Sequence, residues 1–297
     1  MVAAKIYSKC KFVTLQTCKI LLLFVRNLES LSLQLCLLDS LAQNISRFEP
    51  ISLSQMDEVK LMKRTDTKFI FPLAKLHKIL PKLVDKYYVL EIKGKRLNAY
   101  RSLYFDTEDF QFYHQHHNGK TNRNKVRFRE YIDSGISFLE VKSKNNKGKT
   151  IKKRIKVDAI PNSLEGKNKL FVDKTMGKSL TLKPQHWNKF SRITFVHKLR
   201  KERLTIDVNL RFKDVESNKT NLGEIVIAEV KQAKRNLSSD FIRLIKKERI
   251  HPFRISKYCM ATAKLYPQLK INNFKRKFLH LDKVLQDAYS AQENIST

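Results

Sequence analysis

Lys125-Val126-Arg127-Phe128-Arg129-Glu130-Tyr131, followed by Phe138-Leu139-Glu140-Val141-Lys142-Ser143-Lys144, decides how the rest of the chain is read. Both runs alternate, and successive side chains of a β-strand point to opposite faces. Lys125, Arg127 and Arg129 therefore share one face, with Val126 and Phe128 on the other. On the second run Glu140, Lys142 and Lys144 stand together. Asp133-Ser134-Gly135 lies between the runs and reads as a hairpin turn. Two adjacent strands thus offer one common, mostly cationic surface to an anionic partner.

The whole chain shares that bias. Its 297 residues hold 60 Lys and Arg against 28 Asp and Glu, a formal charge of +32. Such an excess points to polyanionic partners: nucleic acid, nucleotides, polyphosphate or an anionic membrane. Hydrophobic residues make up 42%, enough for a core. Cys10, Cys18, Cys36 and Cys259 lack metal-ligand spacing and read as reduced thiols of a cytoplasmic protein. Phe12 to Val25 is apolar but is interrupted by Gln16 and Lys19, and is too short for a transmembrane helix. Residues 1–47 are expected to be an extension, helical or outside the fold.

Six more stretches read as strands. Arg64 to Phe71 places Arg64, Asp66 and Lys68 on one face. Tyr100 to Asp106 is aromatic-rich. Lys149 to Val157 sets Lys152, Arg154 and Lys156 against Ile151, Ile155 and Val157. Phe190 to Val196 carries Arg192 and Thr194. Arg203 to Leu210 opposes Arg203, Thr205, Asp207 and Asn209 to four aliphatics, and Glu224 to Lys231 pairs Glu229 with Lys231. Helices are expected from Pro72 through Leu83, interrupted at Pro81, in part of 158–189, from Ser238 or Ser239 to Glu248, and over 281–297. His114, His116 and His117 read as surface histidines of a loop. His186 and His251 read as structural. Eight strands with charges on one face can close into an antiparallel barrel that gathers those charges inside.

The strongest constellation is Arg64/Lys68, Arg127/Arg129, Glu140/Lys142, Lys152/Arg154, Arg192 and Glu229/Lys231. Phosphate chains need cations at fixed spacing, arginine giving bidentate forks and lysine point charges. The interleaved carboxylates fit Mg²⁺ or Mn²⁺, which bind through one or two carboxylates plus substrate phosphates. On any single strand a solvated, salt-bridged face is the better explanation of the pattern; its repetition on six strands reverses that preference. No glycine-rich phosphate loop and no local nucleophile–base arrangement is present.

Arg64-Thr65-Asp66-Thr67-Lys68-Phe69, Ser102-Leu103-Tyr104-Phe105-Asp106-Thr107, the opening run, Leu139-Glu140-Val141-Lys142, Arg203-Leu204-Thr205-Ile206-Asp207, Ala228-Glu229-Val230-Lys231 and Ser256-Lys257-Tyr258-Cys259 occur in that order. Together they resemble the vacuolar transporter chaperone (VTC) domain, a polyphosphate polymerase, in its stand-alone bacterial form. The resemblance covers about 48–278, leaving 279–297 as a C-terminal helix or tail. It implies an α+β triphosphate tunnel fold: an eight-stranded antiparallel barrel with flanking helices. Related tunnel enzymes open on Glu-x-Glu-x-Lys, where this chain has Arg64-x-Asp66-x-Lys68. By resemblance the catalytic cations are Lys68, Arg127, Arg129, Lys142, Arg192 and Lys257. Arg64, Lys152, Arg154 and Lys231 are expected from the alternation to bind substrate phosphate; the resemblance makes Glu229 the metal-binding glutamate for Mn²⁺ or Mg²⁺, with Glu140 as a second candidate. The register around Lys152-Lys153-Arg154 stays open by one residue. The implied partners are ATP and polyphosphate, with no specific nucleic acid. The implied reaction transfers the γ-phosphoryl of ATP to a growing chain. A tunnel-type triphosphatase and a non-catalytic polyphosphate- or RNA-binding module are the alternatives.

Overall fold

The computed structural model describes residues 39–58, 65–147, 149–234 and 236–293, with side chains to residue 287. Arg64 lies outside the described residues. Contacts divide the chain into units Met1–Asn44 and Ile45–Thr297. In chain order the strands are β1 (Pro50–Ile51), β2 (Thr65–Pro72), β3 (Tyr87–Leu90), β4 (Asn98–Asp106), β5 (Arg123–Tyr131), β6 (Ile136–Lys144), β7 (Thr150–Val157), β8 (Lys183–His197), β9 (Glu202–Asp214), β10 (Lys219–Asn221) and β11 (Ile225–Gln232). The helices are α1 (Leu53–Glu58), α2 (Leu73–Ile79), α3 (Gln111–His117), α4 (Gly166–Met176), α5 (Asp240–Lys247), α6 (Lys257–Leu265) and α7 (Lys275–Glu293).

The protein is α+β, built on one large sheet whose main path runs β2-β11-β9-β8-β4-β5-β6-β7. Every neighbouring pair on that path is antiparallel. Apart from Arg64, Lys149 and Glu224 at their starts, the eight stretches read from alternation fall within these eight strands. The expected hydrogen-bonded barrel is not closed: among the described residues β2 and β7 do not pair. One cause lies at β2, whose outer edge is occupied where the Phe253 amide donates to the Lys68 carbonyl at 2.7 Å and Phe69 bridges Pro252. The opposite edge, β7, is lysine-rich and largely exposed, which opposes edge-to-edge pairing with another strand. The sheet nonetheless curls until its ends approach. Lys68 and Asp66 of β2 and Glu229 of β11 act electrostatically on Lys142 of β6, far along the path.

Curling gives the sheet two unlike faces. On the convex side, α4 covers an apolar cluster of Leu103, Phe105, Val126, Phe128, Leu139 and Val141. Phe69 meets Phe241 of α5 there, ring to ring at 6.0 Å. The concave side is split. One half is apolar, with α6 seated against Ile70, Tyr104, Phe190, Leu210, Phe212 and Ile227; the other half is charged. Alternation predicts that Asn209 faces the same way as Asp207, with Leu210 opposite. Instead Asn209 adopts φ 56°, and the β8–β9 register shifts between Lys189 and Ser191. This bulge reverses the alternation of β9 and turns Leu210 and Phe212 into the concave core.

Other local readings change as well. Strand β8 starts at Lys183, inside a region expected to be mixed and partly helical. His114, His116 and His117 lie on α3 rather than in a loop, and His117 is buried. Burial lowers His116 to about 2, so it is neutral. At Pro81 the helical segment tightens into a 3₁₀ turn, Leu80–Leu83. Helix α7 runs unbroken across the expected 278/279 boundary and buries Leu281 and Val284 in the concave core. Among the described residues no helix is long and apolar enough to cross a membrane.

Candidate functional site

The charged half of the concave face is assembled by strand register. Lys68 stands beside Glu229, and Asp66 beside Lys231. Arg192 stands beside Asp207, Arg127 beside Glu140 and Lys125 beside Lys142. Lys142 in turn stands beside Lys152, and Glu140 beside Arg154. Lys152 therefore shares the face of Glu140 and Lys142, which resolves the open register. The α6 N-terminus delivers Lys257 from the apolar half. Its cap is Ser256, whose Oγ accepts from the Cys259 amide at 3.3 Å and from Lys125 Nζ at 2.8 Å.

Each of three carboxylates is held between two cations. Glu140, 2% exposed, accepts from Arg127 Nε at 2.8 Å and Nη2 at 2.6 Å, and pairs with Lys152. Asp207, 3% exposed, takes Arg192 in a fork of 2.5 and 2.8 Å, and pairs with Lys257. Glu229 pairs with Lys68 and, at 3.0 Å, with Lys231. Burial opposes ionisation of all three. For Glu140 the charges of Arg127, Arg129 and Lys152 prevail, and for Asp207 those of Arg192 and Lys257. Lys231 and Lys68 do the same for Glu229, so each carboxyl falls below its usual range. Each clamp keeps a net positive charge and fixes the geometry of its cations.

Among the described residues Arg129, Lys142 and Arg154 on this face pair with no carboxylate. Arg129 is 8% exposed; its Nε donates to Ser102 Oγ at 3.2 Å, and its guanidinium sits 5.8 Å from the Tyr100 and Phe190 ring centroids. A guanidinium has five N–H donors, so most remain for a ligand. Among the described residues Lys142 makes no hydrogen bond or ion pair; burial first, then Lys68, lowers its pKa. Arg154 lies over the Phe138 ring at 4.4 Å. Burial lowers Lys152 and Lys231 to about 8, against the pull of Glu140 and Glu229.

Of the residues expected in the site, Lys68, Arg127, Arg129, Glu140, Lys142, Lys152, Arg154, Arg192, Glu229, Lys231 and Lys257 all fall on this one face. Sequence reasoning did not single out Asp207, although its alternation with Arg203 and Thr205 was visible. Nor did it single out Lys125, in phase with Arg127, or Tyr104, whose hydroxyl accepts from Arg127 Nη1 at 2.8 Å. The expected metal is testable against the donor set. Among the described residues no three acidic, histidine or cysteine side chains cluster as ligands, so an all-protein cage is excluded there. One ionised carboxylate completed by substrate phosphates, the usual arrangement for Mg²⁺, does fit. Glu229 suits it best, since its side chain is 17% exposed against 2% for Glu140.

A family model for the VTC domain matches residues 63–266. No curated protein matches the sequence. Among solved structures, the chain is similar to a Bacillus halodurans protein provisionally described as an adenylate cyclase (TM-score 0.43, 14% identity, covering 66% of this chain and 96% of that one). It is also similar to a Hippeastrum protein, provisionally an adenylyl cyclase, described as revealing a dominant triphosphatase activity (TM-score 0.44, 14% identity, 68% and 96% covered). The family match spans most of the chain and includes all the clamps built above: the chain belongs to the VTC domain family.

Proposed function

We propose that the protein is an ATP–polyphosphate phosphotransferase whose curled sheet forms a triphosphate tunnel. The observation that carries this reading is the concave face itself, where cations from six strands and one helix converge on a shared space. Arg129 and Lys142 are left there without carboxylate partners. The terminal phosphate oxygen of a chain attacks the γ-phosphorus of ATP; the bond from that phosphorus to the β–γ bridging oxygen breaks, and ADP leaves. No protein nucleophile is required, so catalysis is positioning and charge stabilisation.

Arg127, oriented by Glu140, and Arg192 and Lys257, oriented by Asp207, grip phosphate oxygens in fixed directions. Arg129 and Lys142 stabilise charge on the transferred phosphoryl, where donors fixed in advance cost no reorganisation. Lys68, Lys152, Arg154 and Lys231 extend the contact along the chain. Glu229 would hold Mn²⁺ or Mg²⁺, which supplies Lewis-acid charge neutralisation. Residues 48–278 form the transferase domain in this reading, and α7 continues it to Glu293.

Incubation with ATP and Mn²⁺ should yield a long polyanion resolved by electrophoresis. Arg129→Ala should abolish it by removing a guanidinium from the transferred group, while circular dichroism stays that of the wild type. Release of free phosphate alone would make the protein a tunnel hydrolase instead.

A further inference from the structure

The convex face carries a second concentration of cations that the proposed reaction does not use. A groove of about 530 Å³ crosses β4, β8, β9 and β10 there. Register sets its walls. Arg101 stands beside Lys189, and Lys189 beside Arg211. Two residues along, Trp187 stands beside Lys213, and Lys213 beside Lys219. Neighbouring strands are about 4.8 Å apart, so each row is a line of side chains at that repeat. All five cations are exposed, and no residue lining the groove is acidic. Among the described residues only Arg101 of the five has a carboxylate partner, Glu130 on β5. The bulge at Asn209 builds this surface: by reversing the alternation of β9 it sends Arg211 and Lys213 outward while Leu210 and Phe212 turn inward.

Two rows of cations, with Glu130 at one end of the first as their only acid among the described residues, fit a linear polyanion. Trp187 decides which kind. The Arg101 guanidinium covers its ring at 5.3 Å, and the indole also packs against the apolar cluster of Leu103 and Leu182. Single-stranded nucleic acid is gripped by stacking bases on exposed aromatic faces, and here the ring is already engaged. We propose that this groove is a second, exterior binding site for inorganic polyphosphate, separate from the concave site. The assignment of ligand rests on the polymerase reading above. A chain held there keeps its free end at high local concentration near the protein.

The test uses the 297-residue chain, a groove variant in two forms and one variant of the concave face. Affinity for end-labelled long-chain polyphosphate and for tripolyphosphate would be measured beside ATP turnover on a short primer. Lys189→Glu/Lys213→Glu should weaken long-chain binding about tenfold and flatten its salt dependence. Tripolyphosphate affinity and short-primer turnover should stay unchanged. Arg127→Ala should lose turnover yet keep the exterior binding. Should the charge reversal perturb folding, Lys189→Gln/Lys213→Gln gives the same comparison with a smaller drop. Unchanged long-chain affinity in the groove variants overturns the proposal. So does a groove that binds single-stranded RNA more tightly than polyphosphate of equal charge. If the protein makes no polyphosphate while the groove variants still lose long-chain binding, the polymerase reading falls and the exterior site stands.

Discussion

Glu140 shows what a single residue does on this face. Two cations share its buried carboxylate, so it both orients Arg127 and subtracts from the charge offered to substrate. Glu140→Gln leaves Arg127 without its counter-charge, and thermal denaturation should show a loss of about 3 kcal/mol at neutral pH. The sign with pH follows from the depressed carboxyl: its stabilisation is complete above its ordinary value of 4.5 and drains away as pH falls toward the folded value. The Tm gap between wild type and Glu140→Gln should therefore narrow between about pH 6 and pH 3. Lys152 and Lys231 act at the other end of the scale. Burial lowers both to about 8, more securely for Lys231 at 12% exposure than for Lys152 at 40%, so tripolyphosphate affinity should fall several-fold as pH rises through that value. Lys152→Arg/Lys231→Arg should flatten the profile, because guanidinium stays charged. Arg127, Lys142 and Glu229 were legible because each stands in a clean alternation. Asp207 was not, because its partners come from β8 and α6, and pairing across strands leaves no mark along one of them.

Asn209 sets the behaviour of a whole strand. Strict alternation over Arg203–Leu210 was legible, but the bulge was not, since asparagine is also an ordinary residue of the polar face. Its left-handed backbone suits asparagine or glycine and strains a β-branched side chain. Asn209→Gly should thus leave stability nearly unchanged, while Asn209→Val should cost about 2 kcal/mol, measured by urea denaturation. Losing the bulge also disturbs α6, because Leu210 and Phe212 are part of the floor on which that helix sits. The position of Lys257 depends on that floor. A substitution on β9 that touches no ligand should accordingly lower turnover as well as stability.

At the scale of the molecule, the eight staves and their antiparallel pairing were legible from charge alternation and short connections. Closure was not, because whether β2 meets β7 depends on the Pro252–Phe253 segment taking the outer edge of β2, a contact between residues far apart in the chain. The curled sheet still brings Lys68 and Lys142 within electrostatic reach. A triphosphate bridging them should stabilise the fold, by about 2.7 kcal/mol at a hundredfold its Kd, with a rise in Tm that shrinks in high salt. The central claim is the destination of the γ-phosphoryl group. ATP labelled at the γ-phosphorus, incubated with the protein, Mn²⁺ and a short polyphosphate primer, measures it directly. One labelled phosphate should appear in lengthened polymer for each ADP formed; label recovered as free phosphate in proportion to ADP, with the primer unchanged, would contradict phosphoryl transfer to the chain.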